Sequence, residues 1–218
     1  MLIAYVVDVH DRFEAVPEAI AAIGAVDLLI VGGDITTGGS PDDAQTAIEQ
    51  WKPLVPRLLA LAGNMDSPAI DARLVDLGVS LDARGVVFGE IGVCGVSAAP
   101  LSPLWTPYEL ADEELERRSE SAFEAVAGCR VRIFCPHAPP EGTACDRLRD
   151  GRHVGSVVVR RIVEREQPDL VLCGHIHEAR GVDEIGRTRI VNPGPGTAGH
   201  YAAVSVDAEL SVRLDGDD

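Results

Sequence analysis

The chain repeats one arrangement five times: a short apolar run that ends abruptly in residues able to hold a metal. Leu2 to Val7 ends at Asp8-Val9-His10, Val26 to Val31 at Gly32-Gly33-Asp34, and Leu58 to Leu61 at Gly63-Asn64-Met65-Asp66. Val131 to Cys135 ends at Pro136-His137, and Leu170 to Cys173 at Gly174-His175-Ile176-His177. Apolar runs of this length read as buried strands. Helical stretches lie between them. Phe13 to Ile23 has helical periodicity, and Ser40-Pro41-Asp42-Asp43 places a serine cap, a first-turn proline and dipole-favoured acids in order. Ser67-Pro68 opens another helix, and Ser156 to Glu166 a later one. The opening order β-α-β-α-β-α predicts an α/β fold with a mostly parallel sheet and helices on its faces. Functional groups in such sheets gather beyond the carboxyl ends of the strands. Residues far apart in sequence can therefore share one rim.

The middle and tail are less regular. Short strands are expected at Val86 to Phe88 and Ile91 to Val96, and alternating strands at 181–185, 188–191, 201–206 and 210–214. Between them, 97–128 forms a helical insertion. Its Thr106-Pro107-Tyr108-Glu109 sequence is a capping box that predicts a helix from Pro107 to about Val126, stopped at Gly128. Ala111, Leu115, Ala122 and Val126 would form its apolar face. This segment could cover the rim, pack peripherally or meet another copy, so a homo-oligomer stays open. No linker or repeat divides the 218 residues, which are read as one domain over 1–218. Asp215 to Asp218 reads as a frayed acidic end.

The charge balance narrows the partners. Against 19 Lys and Arg stand 35 Asp and Glu, a net charge of −16, which repels phosphate backbones and makes nucleic acid an unfavourable partner. The five cysteines form no C-x-x-C pair and read as buried free thiols of a reducing, cytoplasmic compartment. No signal-peptide pattern or membrane-length apolar run is expected to place the chain in a membrane. Arg160 and Arg161 read as a solvated helix face.

Four of the six histidines fall at the strand ends. Asp8 and His10 are two apart, as are His175 and His177, so each pair points to one side of an extended segment. A carboxylate such as Asp34 can bridge two cations, and Asn64 offers a neutral carbonyl oxygen. Neutral imidazoles suit Mn, Fe, Zn or Ni better than Mg or Ca. Any one fragment is a common cap or turn; the ordered set carries the reading.

The five blocks in this order resemble the signature of the calcineurin-like metallophosphoesterase superfamily: D-x-H, G-D, G-N, a lone histidine, and G-H-x-H. The stretches Gly151 to Ser156, Cys173 to Glu178 and Asn192-Pro193-Gly194-Pro195, with Thr106-Pro107-x-Glu109, are most similar to its Icc-related archaeal and bacterial branch. The resemblance implies two facing mixed β-sheets flanked by helices. It also implies two divalent transition-metal ions: Asp8, His10 and His177 around one, Asn64, His137 and His175 around the other, and Asp34 between them. The implied activity is hydrolysis of a small or nucleotide-like phosphoester, a diester before a monoester, by a metal-bridging hydroxide.

One position departs from the pattern. Many members carry a histidine after the asparagine, where this chain has Met65, and a thioether donates no proton. Asp66 then has no adjacent imidazole to orient. His153, just before the helix start at Ser156, is the candidate replacement acid, and His200 a weaker candidate for substrate contact. The alternative to an enzyme is a metal-binding scaffold of the same fold. Eroded ligands would favour it, and only Met65 is eroded here.

Overall fold

The computed structural model describes residues 1–215. In chain order the elements are β1 (Leu2–Val6), α1 (Ala15–Ile23), β2 (Leu28–Val31), α2 (Pro41–Trp51), β3 (Leu58–Ala60) and α3 (Pro68–Asp76). Next come β4 (Arg84–Phe88), β5 (Ile91–Val96), β6 (Ala99–Pro100), β7 (Glu109–Leu110), α4 (Asp112–Glu124) and β8 (Val131–Pro136). The chain continues through α5 (Val157–Glu166), β9 (Leu170–Leu172), β10 (Gly181–Ile185), β11 (Thr188–Asn192), β12 (Ala202–Val206) and β13 (Leu210–Leu214).

Two large sheets result. One has the order β13-β12-β1-β2-β3, the other β10-β11-β9-β8-β5-β4. β1, β2 and β3 are parallel, and the β12–β13 hairpin joins antiparallel on the β1 side. In the second sheet β5, β8, β9 and β11 are parallel, with antiparallel β4 and β10 at the edges. Both sheets are therefore mixed, as the resemblance implies, and every ligand block follows a strand with a parallel neighbour.

Strand alternation sorts the cores. Ile3, Tyr5 and Val7 point with Leu28 and Ile30 into the space between the sheets, against Val93, Ile133, Leu170, Leu172 and Val191. The opposite parity, Ala4, Val6, Leu29 and Val31, packs on α1, α2 and α3 through Val16, Ala44, Ile48, Trp51, Ile70 and Leu74. The outer face of the second sheet, including Cys94, Phe134, Val171 and Ile190, packs on α4 and α5. These runs are apolar throughout because both faces are covered. Truncating one such side chain, as in Ile30→Ala, costs about 2–5 kcal/mol. Four layers thus hold the strand ends rigidly.

The helix starts follow the expected chemistry. Ser40 forms a reciprocal capping box with Asp43, and Ser67 and Ser156 cap α3 and α5 through the amides of Ile70 and Val159. α1 starts two residues later than expected; Phe13 instead packs edge-on to Trp51, ring centroids 6.0 Å apart.

The helix expected from Pro107 begins only at Asp112. Only the carboxylate half of the Thr106–Glu109 box forms, and around a loop. Glu109 accepts from the amide and hydroxyl of both Thr106 (3.0 and 2.7 Å) and Ser102 (3.0 and 2.6 Å). The Tyr108 amide is taken by the Asn64 carbonyl at 3.0 Å, and Glu109-Leu110 pairs in parallel with Ala99-Pro100. These tertiary bonds outcompete a helical turn. In α4 Leu115 and Ala122 are buried, as is Val126 just beyond it, whereas Ala111 is exposed. Asp215, expected to fray, is anchored by bonds with Tyr201 and His200; the remaining acidic residues, 216–218, lie outside the described residues. Arg160 pairs with Glu164, and Arg161 with Glu116, on an exposed helix face. Four cysteines are buried and Cys129 is half-buried, all as free thiols. Among the described residues no helix is long and apolar enough to cross a membrane.

Candidate metal centre

The ligand blocks follow β1, β2, β3, β8 and β9, and the sheets bring them together. Tight, left-handed backbone turns aim them. Asp8, His10, Asp34 and His175 have φ of 56°, 46°, 50° and 66°. Non-glycine residues visit this region rarely, at a cost of order 1–2 kcal/mol, although Asp and His tolerate it better than most. The turns are held by long-range backbone bonds: Asp8 N to Gly33 O at 3.0 Å, His10 N to Asp34 O at 2.9 Å, and Gly174 N to His137 O at 2.9 Å. Close approach demands glycine at position 63. A Cβ there would strike the Asp34 carboxylate and lie 2.6 Å from His137 Cε1.

Two groups of donor atoms converge, each within 4.8 Å: Asp8, His10 and His177, and Asp8, Asp34 and His137. Asp34 Oδ2 lies between them, 3.6 Å from His10 Nε2 and 3.5 Å from His137 Nε2. Asn64 Oδ1 joins the second group, 3.0 Å from His137 Nε2 and 2.7 Å from His175 Nδ1. All seven strand-end residues singled out from sequence therefore meet at one rim, and Asp8 touches both groups as Asp34 does.

The hydrogen bonding calls for positive charge at the centre. His137 Nδ1 lies 3.0 Å from the Gly32 carbonyl, which can only accept, so that nitrogen carries the proton. In the neutral ring Nε2 is then a bare lone pair, facing the Asn64 and Asp34 oxygens. His10 and His177 likewise bring their Nε2 atoms within 3.2 Å of each other, with His10 Nδ1 at Thr37 Oγ1, 3.0 Å away. Asp8 Oδ2 accepts from the His175 amide at 2.9 Å, but the fully buried Asp8 Oδ1 has no partner. Acceptors facing acceptors, beside an orphaned carboxylate oxygen, fit divalent cations.

The protonation equilibria point the same way. Burial pushes the Asp8 carboxyl up to about 7, helped by Asp34 and opposed by His137. Burial pushes His175 down to about 3 and lowers His10 and His177. For His137 burial works downward, but the Asp34 and Asp8 carboxylates and the Gly32 carbonyl together outweigh it and hold the imidazole at about 9. Burial also opposes ionisation of Asp34, yet His137 and His10 bring it below its ordinary value. In the absence of a metal, a proton on His137 supplies the missing positive charge.

Several supporting residues were not foreseen. Asp66, expected to be idle, accepts from the amides of Ile35 (3.1 Å), Thr36 (2.9 Å) and Gly63 (2.9 Å), and from the Thr36 hydroxyl (2.8 Å). It thus fastens the Asp34 turn to the Asn64 turn. Its position three residues beyond Gly63 was the available signal. Asn192 donates to the Ile176 carbonyl at 3.0 Å and steadies the His175–His177 turn. Tyr108 holds Asn64 by its amide and Asp71 by its hydroxyl, at 2.9 Å, within a network that includes Arg118. Met65 contributes its amide to Asp34 Oδ1 at 2.7 Å. His153 is not brought into either ligand group. Its Nδ1 sits 2.6 Å from Asp146 Oδ1, on a loop. His200 is paired with Asp215 at 2.8 Å.

Residues 1–208 match the model of the calcineurin-like phosphoesterase superfamily domain. The chain belongs to that superfamily. It is 30% identical over 200 residues to an uncharacterised protein of Methanocaldococcus jannaschii, covering 89% of this chain and 88% of that one. Its fold is shared by the protein TT1561 of Thermus thermophilus, at a TM-score of 0.76 and 16% identity, with 97% of each chain covered. It is shared also by a dimetal phosphatase from Danio rerio, at 0.68 and 10%, covering 98% of this chain and 95% of that one. Membership makes the chain a phosphoesterase by family and implies divalent metal.

Proposed function

We propose that this calcineurin-like phosphoesterase binds two divalent transition-metal ions and hydrolyses phosphodiesters in preference to monoesters. The observation that carries the reading is the unmet demand for cations: the orphaned Asp8 Oδ1, and the His137 Nε2 lone pair facing Asn64 and Asp34. Asp8, His10 and His177 would hold one ion, Asn64, His137 and His175 the other, and Asp34 both. Bound cations would polarise the phosphoryl group and lower the pKa of a water.

The chain's own residues define the rest. Gly32 O and Thr37 fix the rings of His137 and His10, so their lone pairs point inward without a search for geometry. Asp66 and Tyr108 keep the Asp34 and Asn64 turns in register. Hydrolysis forms one P–O bond from water and breaks one ester P–O bond, whose oxygen leaves with a proton. Met65 cannot supply that proton, and His153 is engaged by Asp146. The reading therefore favours esters whose alcohols leave readily without an acid, such as aryl phosphodiesters.

The test is metal-stripped protein reconstituted with Mn²⁺ or Ni²⁺. It should bind about two ions per chain and hydrolyse an aryl phosphodiester faster than the matching monoester, and Asp34→Asn should abolish turnover. Metal-loaded protein inert toward every phosphoester would leave the scaffold reading in its place.

A further inference from the structure

Beyond the metal centre, a cavity of about 810 Å³ starts at His175 and runs between residues 99–106 and 148–157. This falls within the range of small-molecule pockets. Leu101, Leu104, Leu148, Val154, Val157 and Ile176 line it. Isolated exposed apolar side chains are ordinary. Here, however, four of them surround one opening: Leu101 is 67% exposed, Leu104 80%, Val157 50% and Val154 36%. Contiguous apolar surface of this kind marks binding sites.

The walls are already fixed. One is pinned by Glu109, whose carboxylate takes the four bonds from Ser102 and Thr106, while Ser102 Oγ accepts from the Leu104 amide at 3.2 Å. The other is pinned by buried Asp146, which accepts from the Gly155 amide at 2.9 Å and holds His153. A ligand would therefore bind with little ordering cost. The charge in the lining is unsuited to a second phosphate. Its one guanidinium, Arg152, is engaged by Asp150 at 2.8 Å, and Glu109 and Asp112 add negative charge.

We propose that this cavity seats an apolar ester arm, alkyl or aryl, of the substrate, so that the enzyme selects singly charged phosphodiesters with a hydrophobic group over nucleoside polyphosphates. The proposal rests on the phosphoesterase reading, which supplies the phosphoryl position beside His175. It assigns 97–128 a role in specificity chiefly through the loop before α4, with Asp112 the one residue of that helix in the lining.

The test is binding of methyl-, butyl- and octylphosphonate, which are not hydrolysed, to Mn²⁺-loaded protein by titration calorimetry. Burying a methylene strengthens binding by up to about fourfold. Octyl carries seven more methylenes than methyl, and seating about half of them at that value gives ~100-fold, so octylphosphonate should bind at least ~100-fold tighter than methylphosphonate. Leu101→Asp with Val154→Asp should collapse that ratio below about tenfold at unchanged metal stoichiometry; both positions are exposed enough to accept a charge. Methylphosphonate binding with no gain for octyl overturns the proposal. So does a variant whose oligomeric state changes while the ratio stays, since a second copy would then cover the patch. Failure of all three phosphonates to bind overturns the phosphoesterase reading, and this proposal with it.

Discussion

In the absence of metal, the site should weaken the protein as pH rises through neutrality. His137 has an ordinary pKa of 6.5 and is held at about 9 in the fold, burial working downward and the Asp34 and Asp8 carboxylates with the Gly32 carbonyl together outweighing it. A group raised in the folded state contributes stability that is fully present below its unfolded pKa and is lost as pH rises through its folded pKa. Between pH 7 and 8.5 the folded chain therefore keeps a proton that the unfolded chain has released. Asp8, raised to about 7 by burial, acts in the same direction at the lower edge of this window. His10, His175 and His177, all lowered, are deprotonated in the folded chain, and the last protons leaving their unfolded imidazoles just above pH 7 give a small opposing slope that Asp8 offsets; Asp34, also lowered, is deprotonated in both states. Above about pH 8.5 the unfolded thiols begin to titrate while buried Cys94, Cys135 and Cys173 do not, so the window ends there.

One proton across 1.5 pH units corresponds to about 2 kcal/mol. For a chain of this size that is a fall in Tm of about 4–8 °C. Thermal melts by circular dichroism, in chelator at pH 7.0, 7.5, 8.0 and 8.5, measure it directly. Saturating Mn²⁺ should flatten the dependence, because a ligating imidazole carries no proton on that nitrogen. Asp34→Asn should flatten it too, by removing the carboxylate that holds the proton. A chelated wild-type protein whose Tm is level from pH 7 to 8.5 would refute the assignment of a paired, protonated His137.

Other perturbations test separate parts of the site. Gly63→Ala drives a Cβ against Asp34 and His137, so metal stoichiometry should drop by at least one ion per chain while the far-ultraviolet spectrum is kept. Tyr108→Phe removes the hydroxyl shared by Asp71 and Arg118 and should lower stability by about 1–3 kcal/mol in denaturant unfolding. His153→Gln breaks the ion pair with Asp146 but touches no ligand, so kcat should change less than threefold, whereas a loss above 100-fold would restore it as an acid. His10→Ala should reduce the bound ions by one and activity by more than 100-fold, read by metal analysis and aryl-diester turnover.

The convergence of the seven strand-end residues was legible because each candidate ligand is adjacent to a strand. An apolar run buried on both faces leaves few alternatives to a parallel strand, and the next residues must lie at its carboxyl end. Sheet order was less legible. That β12 and β13 close the first sheet beside β1, while β4 and β10 edge the second, depends on long-range pairing absent from local pattern. The Thr106 box misled for the same reason. Its Glu109 side chain takes the Thr106 amide as expected, but the Asn64 carbonyl captures the Tyr108 amide and turns the chain away from helix. Asp66 was underestimated because its role lies in backbone amides from two other turns, which no residue type reveals. The partner of His153 was not legible, because proximity to a helix start in sequence says nothing of Asp146, seven residues before it.

The same features that make the centre costly prepare it for cations. Asp8, His10, Asp34 and His175 sit in left-handed backbone, one oxygen of the buried Asp8 carboxylate lacks a partner, and two imidazole nitrogens nearly touch. Each of these costs of order 1–3 kcal/mol. The burden is borne by strands whose side chains are almost wholly buried, and by turns clamped through Asp66, Asn192 and the Gly33 and Asp34 carbonyls. Because the strain is already present without metal, a cation that relieves the acceptor repulsion need not spend binding energy arranging its ligands. Rigid ligands would also keep the two proposed cation positions at a fixed separation, as a clamp on one phosphoryl group requires. The fold's stability is thus concentrated beneath the rim. The variable part of the chemistry, which ester is held against it, falls to the loop from Ala99 to Thr106, which contributes no metal ligand and carries the exposed leucines of the cavity.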